Sequence, residues 1–501
     1  MPRQHNKTQT SNQKNKTKPK TEEPTAGPKK KAAKTSEPSS QPTETDAEKT
    51  LRLISSSHLA AKVGRLDILQ QLPQDILGTP NTKGFTAAHT ASFYGNANVI
   101  NFLAKIKQGA LLTGKTSTGD TAAHFAAQEG HLNVLQEMPP KALSIRNKRG
   151  ETPAHIAVYT KNLAALQELP RDKLDIRANN GFTPLHIAAE NGNVNIVQFL
   201  ITIREGALLQ TKTLDGRQVA HLAAENGHLS ILQALPGKTL IARDNDGLNI
   251  AHYAAENGHL NIIHAMQGSQ LLIQKDHDGL TPAHLAAENG HLSILQALPG
   301  KTLIPRDNDG LNIAHYAAKN GHLNIIHAMQ GSQLLSQKDH NGLTPAHMAA
   351  ENGHLSILQV LPEKTFIPRD NDGRNIAHYA AANGHLSIIQ TLQHSQPQLL
   401  SQKDNDGLTP AHFAAADGHL DVLRALREKK HPKLLENSPE TGNTSPVSSE
   451  KLKPPKPAPK PTPKPKPKPK PKPRDEKRKH QPNSPPRSKQ KTTKSSTSPR
   501  R

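Results

Sequence analysis

The chain has no cysteine. Disulfide staples and thiolate metal sites are therefore excluded, and the composition fits a reducing compartment. It also lacks any apolar run of about 18 residues, the length a spanning helix needs. No membrane segment is expected. The stretch from Met1 to Lys20 is polar and has no apolar centre, so no secretory leader is expected there. Neither a phosphate-binding loop, a nucleophile elbow nor a zinc-protease helix motif occurs. Catalysis needs a singular convergent constellation, and the sequence offers none. The expectation is a protein with no catalytic residues, no cofactor and no metal.

Charge is unevenly placed. The formal net charge is +22. Residues 1–50 carry 11 Lys/Arg and 6 Asp/Glu, and residues 429–501 carry 22 and 5. Between them 31 basic and 31 acidic residues cancel. Attraction to polyanions thus belongs to the two ends and not to the middle.

The middle is built on one recurring stretch, typified by Thr281-Pro282-Ala283-His284-Leu285-Ala286-Ala287-Glu288-Asn289-Gly290. Thr281 can cap a helix, Pro282 suits its first position, and Gly290 supplies a left-handed stop. Three alanines keep one face thin enough for a neighbouring helix to approach. The histidine returns at His58, His89, His124, His155, His186, His221, His252, His284, His315, His347, His378 and His412, at intervals of 31 to 35 residues. A second segment follows each time, as in His291-Leu292-Ser293-Ile294-Leu295-Gln296-Ala297-Leu298. Leu292, Ile294, Leu295 and Leu298 put one face of a second helix inward. Pro299 ends it early. The longer intervals, near Gly109-Ala110-Leu111-Leu112 and Gly206-Ala207-Leu208-Leu209, lengthen that helix.

The period and the T-P-x-H-x-A-A core, clearest at Thr152-Pro153-Ala154-His155, Thr183-Pro184-Leu185-His186, Thr344-Pro345-Ala346-His347 and Thr409-Pro410-Ala411-His412, resemble the ankyrin repeat. The resemblance implies an all-α solenoid of about twelve stacked helix–turn–helix repeats with hairpin tips, over residues 51–430. Disordered basic tails are expected to flank it, at residues 1–50 and 431–501. The family's repeated histidine bonds to the Thr-Pro turn and to neighbouring backbone, so the twelve histidines are expected to be structural. The Gly-His pair at Gly290-His291 recurs too often to be an active centre. The first repeat, with Ser56 where Thr-Pro should stand, is worn, as a water-facing terminal copy should be. Leu72-Pro73-Gln74-Asp75-Ile76-Leu77 resembles the opening of an F-box, but Leu-Pro recurs wherever the second helix ends. His431-Pro432 is the sole echo of the AMP-transferase domain found in some ankyrin effectors, and it continues with Lys433 and matches nothing further.

From Asp215 the unit doubles. Residues 215–277 and 278–340 differ at six positions: Arg217/Leu280, Gln218/Thr281, Val219/Pro282, Ala242/Pro305, Glu256/Lys319 and Ile273/Ser336. One repeat starts Thr-Pro-Ala-His and the next Asn-Ile-Ala-His. Asn312 can cap as Thr does. A third, more divergent copy follows.

Each tip joins Asp residues to one cation. The candidate partner-binding residues are Arg243, Asp244, Asp246, Lys275, Asp276, Asp278, Arg306, Asp307, Asp309, Lys338, Asp339, Arg369, Asp370, Asp372, Lys403, Asp404 and Asp406. In the family, tips and the first turn of the inner helices form the concave binding face. These charges suit a partner of mixed or basic character. The tips at Asp244, Asp307 and Asp370 also hint at calcium loops, but they lack the bidentate glutamate at the twelfth position.

The tails read differently. Residues 451–473 hold 11 prolines and 9 lysines, with strict alternation from Pro463 to Pro473. An extended polyproline helix is expected, rising about 3.1 Å per residue. Lys29, Lys30 and Lys31, and Lys477, Arg478 and Lys479, are candidate nuclear-targeting residues. Ser484-Pro485-Pro486-Arg487 and Ser498-Pro499-Arg500-Arg501 resemble linker-histone tails. No aromatic residue lies between Lys429 and Arg501, which argues against single-strand stacking.

The expected function is a non-enzymatic, monomeric scaffold for one or more proteins. In style it is similar to the ankyrin effectors of intracellular bacteria, with a cytoplasmic, intracellular location, or host cytosol or nucleus if secreted. The alternative is a nuclear chromatin- or nucleic-acid-associated protein, with weak nucleic-acid association through the tails.

Overall fold

A computed structural model describes residues 45–428. The chain divides into two units, Met1–Pro432 and Lys433–Arg501, and every described residue lies in the first. The candidate nuclear-targeting lysines and arginine, the Pro-Lys segment, and the tails beyond residues 45 and 428 lie outside the described residues.

Twelve layers follow one another, numbered here by the histidine each contains, from His58 in layer 1 to His412 in layer 12. Among the described residues there are helices and turns and no strand. Layer 8 shows the pattern. Its inner helix is Pro282–Glu288, its outer helix Leu292–Ala297, and a 3-10 turn Gly300–Thr302 leads to the next tip. Thr281 is extended at the N-cap, and Pro282 fills the first helical position, where a missing N–H costs nothing. Gly290 turns the chain at φ +81°. Asn312 caps layer 9 through Oδ1, which accepts from the backbone N–H of Ala314 (2.9 Å) and His315 (3.2 Å).

The core is thin and continuous. Ala283, Ala286 and Ala287 are fully buried, which lets inner helices of adjacent layers stack closely. Ile294, Leu295 and Leu298 bury the outer helix against them, each contributing about 1.5–3 kcal/mol. Leu298 caps the outer helix and Pro299 follows, as the sequence implies.

Two details depart from the sequence reading. The first inner helix runs Asp46–Val63, capped by Thr45 and Glu48, so it spans the expected boundary at residue 50 and passes straight through Ser56. In the long intervals the outer helices do lengthen, to Ala97–Lys105 and Val194–Thr202, nine residues each. In the first of these intervals the remainder is not helix: Lys107, Gln108 and Gly109 all take positive φ. The Ile76 and Leu77 side chains of the F-box-like stretch are buried in the core and not presented for docking.

Candidate binding face

The repeated histidines bolt the layers together. In layer 3 the backbone N–H of Thr121 donates to His124 Nδ1 (3.0 Å). That nitrogen is an acceptor, so the ring proton sits on Nε2, which donates to the Glu151 carbonyl of layer 4 (3.1 Å). The same bridge joins His155 to Phe182, His252 to Leu280 and His315 to Leu343. Burial holds the imidazoles of His155, His186, His252, His284, His315 and His347 down to about 4. Burial favours the neutral imidazole in all six; Nε2 of His155, His186, His252 and His315 bonds to a carbonyl of the next layer, whereas Nε2 of His284 and His347 is buried without a hydrogen-bond partner.

The Gly-His pair forms a second ladder, running the other way. His322 Nε2 donates to the Glu288 carbonyl of the preceding layer (2.7 Å). Its ring covers Gly290, where a Cβ would meet Nδ1 at 2.7 Å. His228, His259, His291, His354, His385 and His419 repeat this contact. The sequence shows the Gly-His recurrence; its partner, one layer back, only the structure supplies.

The tips separate the candidate residues into two groups. The first aspartate of each tip is a turn-closing residue. Asp307 Oδ1 accepts from the N–H of Asp309 (3.0 Å) and Leu311 (2.8 Å). Asp244, Asp276, Asp339, Asp370 and Asp404 do the same. Asp244, Asp307, Asp339, Asp370 and Asp404 are buried and Asp276 half-buried. In alternate layers the other oxygen accepts a tyrosine hydroxyl: Tyr253 to Asp244 (2.5 Å), Tyr316 to Asp307 (2.6 Å) and Tyr379 to Asp370 (2.5 Å). Burial, then the aspartate bond, raises these phenols well above the usual range. Where Leu285 replaces tyrosine, burial pushes Asp276 up to about 6. These six carboxylates close their own turns and so are parts of the fold.

Five of the six candidate cations are also engaged. Arg243 donates to the Lys275 carbonyl (2.7 Å), Lys275 to that of Arg306 (2.7 Å), and Arg306 to that of Lys338 (2.7 Å). Lys338 donates to Arg369 (2.7 Å) and Arg369 to Lys403 (3.0 Å). Each links its tip to the next, covering carbonyls that tip-to-tip backbone bonds leave open. Among the candidates, Asp246, Asp278, Asp309, Asp372 and Asp406 remain as exposed carboxylates. Asp372 pairs with Arg374 (3.3 Å). No group of three or more potential ligands that could hold a metal occurs among the described residues.

What the sequence did not reveal is a strip on the inner helices. The residue four places after each layer histidine is exposed at Phe93, Gln128, Tyr159, Glu190 and Lys319 and half-buried at Glu225, Glu256, Glu288 and Glu351. From layer 2 to layer 8 it is Phe93, Gln128, Tyr159, Glu190, Glu225, Glu256 and Glu288, and then Lys319 and Glu351. In layer 6 the strip and the tip face each other. In layer 6 the Arg217 guanidinium reaches both Asp215 on the tip (2.7 Å) and Glu225 on the helix (2.6 Å). Burial and the Glu225 carboxylate together raise Glu190 above the ordinary glutamate range. At the other end Phe93 packs edge-on to Tyr94 and Phe125, and Lys62 Nζ lies 5.0 Å over the Tyr94 ring.

A family model described as ankyrin repeats (3 copies) matches residues 57–141, 138–212, 202–270, 264–334 and 327–401. One described as ankyrin repeats (many copies) matches residues 378–427. The chain belongs to the ankyrin-repeat family. Ankyrin repeats indicate a protein–protein interaction scaffold, and proteins of this kind are typically non-enzymatic.

Proposed function

We propose that the array holds a protein partner along the groove between the inner helices and the tips. One observation carries this reading. The histidines, capping residues, glycines and first tip aspartates repeat because the fold uses them, whereas the inner-helix strip runs from aromatic to acidic within seven layers. A surface that needed only solubility has no reason for such a gradient, and specificity resides in surface groups rather than in the fold. Affinity capture with the full chain tests it. Phe93→Ser with Glu288→Lys should remove the captured protein, and Gln233→Lys on an outer helix should not. Equal capture by all variants overturns the reading.

An effector role in a host cell is the finer reading. The near-identical 63-residue copies, the absence of cysteine and the basic C-terminal segment support it. The second reading, a nuclear chromatin- or nucleic-acid-associated protein, draws support from the confinement of excess positive charge to the tails. Localisation in eukaryotic cells tests the nuclear reading. If substituting glutamine at Lys29, Lys30, Lys31, Lys477, Arg478 and Lys479 empties the nucleus, the nuclear reading gains its address. Unchanged localisation removes it.

A further inference from the structure

We infer that the groove from layer 2 to layer 8 takes an extended, arginine- and lysine-rich segment of another protein, with cationic side chains stacked on the aromatics at one end and clamped between paired carboxylates at the other. This deepens the scaffold reading and rests on it.

The protein itself shows what each half of the groove accepts. In layer 6 one guanidinium, Arg217, spans the tip carboxylate Asp215 and the helix carboxylate Glu225. The fork of an arginine matches two carboxylates in this way, and a planar guanidinium loses less on leaving water than an ammonium does. Layer 8 repeats the carboxylate pair as Asp278 and Glu288, with Leu280 in the position of Arg217. Layer 8 thus keeps the two carboxylates while the internal arginine is not copied.

The aromatic half carries an independent sign of the same preference. Phe93, Tyr94 and Tyr159 are among the exposed large apolar residues, at 38%, 46% and 44%. Lys62 already lies over the Tyr94 ring, as the negative face of a phenol ring attracts a cation. Exposed aromatics grouped on one face mark a docking surface. A single extended strand of partner would meet both halves: adjacent layers are about 10 Å apart, roughly three residues of extended chain. The ends of the strip define its reach. Lys319 in layer 9 interrupts the acidic run, and in layer 11 Arg374 lies beside Asp372 and over the Phe413 ring at 5.2 Å.

The test uses the full chain and two fluorescent 16-residue peptides, one alternating arginine and glycine and the other, uncharged, alternating serine and glycine. Fluorescence anisotropy should show binding of the arginine peptide alone, weakened at least tenfold by Asp278→Asn with Glu288→Gln. Phe93→Ser with Tyr159→Ser should weaken it separately. Glu168→Gln, outside the groove, should change nothing. Because Asp278 and Glu288 are partly exposed, the charge-neutral pair should fold, and an unchanged helical circular dichroism spectrum checks this. Equal affinity for all variants, or binding of the serine peptide as tightly as the arginine peptide, overturns the inference. If the peptide fails to bind while groove substitutions still abolish capture of a cellular protein, the scaffold reading stands and this inference falls.

Discussion

The imidazole of His354 lies across Gly321 of the layer before it, its Nε2 donating to the Lys319 carbonyl at 3.1 Å. A glycine and a histidine thirty-three places apart are therefore a single contact. The ring needs a residue without a Cβ, and the carbonyl at the end of the inner helix needs a donor.

That contact can be isolated. Gly321 and Gly331 have nearly the same backbone, φ +80° and +83°. A Cβ at Gly321 would meet the His354 ring at 2.7 Å, whereas at Gly331 nothing lies within 4 Å. Gly331→Ala should cost about 1 kcal/mol, the left-handed penalty alone. Gly321→Ala should cost distinctly more. Chemical denaturation midpoints of the two variants compare them, and equal shifts would show that the ring moves aside freely.

Tyr316→Phe removes the hydroxyl that serves Asp307 Oδ2 and leaves a buried acceptor unmet. A loss of about 1–3 kcal/mol is expected. Phe at this position keeps the ring, so the loss should appear without a change in helical content. Calorimetry on the full chain reads it.

Asp276→Asn should stabilise the protein at pH 7. Burial raises this carboxyl to about 6 from an ordinary 3.8. The folded chain thus binds its proton more tightly than the unfolded chain does. Keeping the carboxyl ionised costs stability above that range, and the cost fades as pH falls through 6. Asparagine already does the same work in layer 4, where Asn147 Oδ1 accepts from Arg149 and Glu151 N–H (both 2.9 Å). Asp276→Ala removes the turn closure and should destabilise. The gain from asparagine should be larger at pH 7.5 than at pH 5, and a gain independent of pH would count against the burial argument.

Acid should open the array. Six histidines sit near 4 when folded against an ordinary 6.5. Between those values the unfolded chain binds more protons, so stability falls as pH drops. Each fully coupled histidine contributes a slope approaching about 1.4 kcal/mol per pH unit within that window. Protonating Nδ1 also abolishes the acceptor for the capping N–H, as at His284 and Thr281 (3.1 Å). The thermal midpoint should be flat above pH 7 and decline steeply from 6 to 4.5. A midpoint unchanged over that range would show that the imidazoles stay accessible to protons.

Much of this protein is set by local chemistry. Thr281, Pro282 and Gly290 start and stop a helix by rules that act over a few residues, so the layers and their number could be read directly from the chain, while the histidine bonds between layers were implied only by the resemblance to the ankyrin repeat. The tips could not. Asp307 and Asp309 are both aspartates two places apart, yet one is buried beneath Tyr316 and closes its turn while the other faces water. That division depends on where the tip folds relative to its own inner helix, which no short-range rule supplies. The groove is more distant still. Asp215 and Glu225 belong to different elements of a layer, and only the stacking of tip against helix brings both within reach of one guanidinium. The sequence by itself determined the repeating unit, because caps, prolines and glycines act locally. The tertiary structure decided which charges the fold consumes and which it leaves on the groove, because burial is a property of the assembled layers.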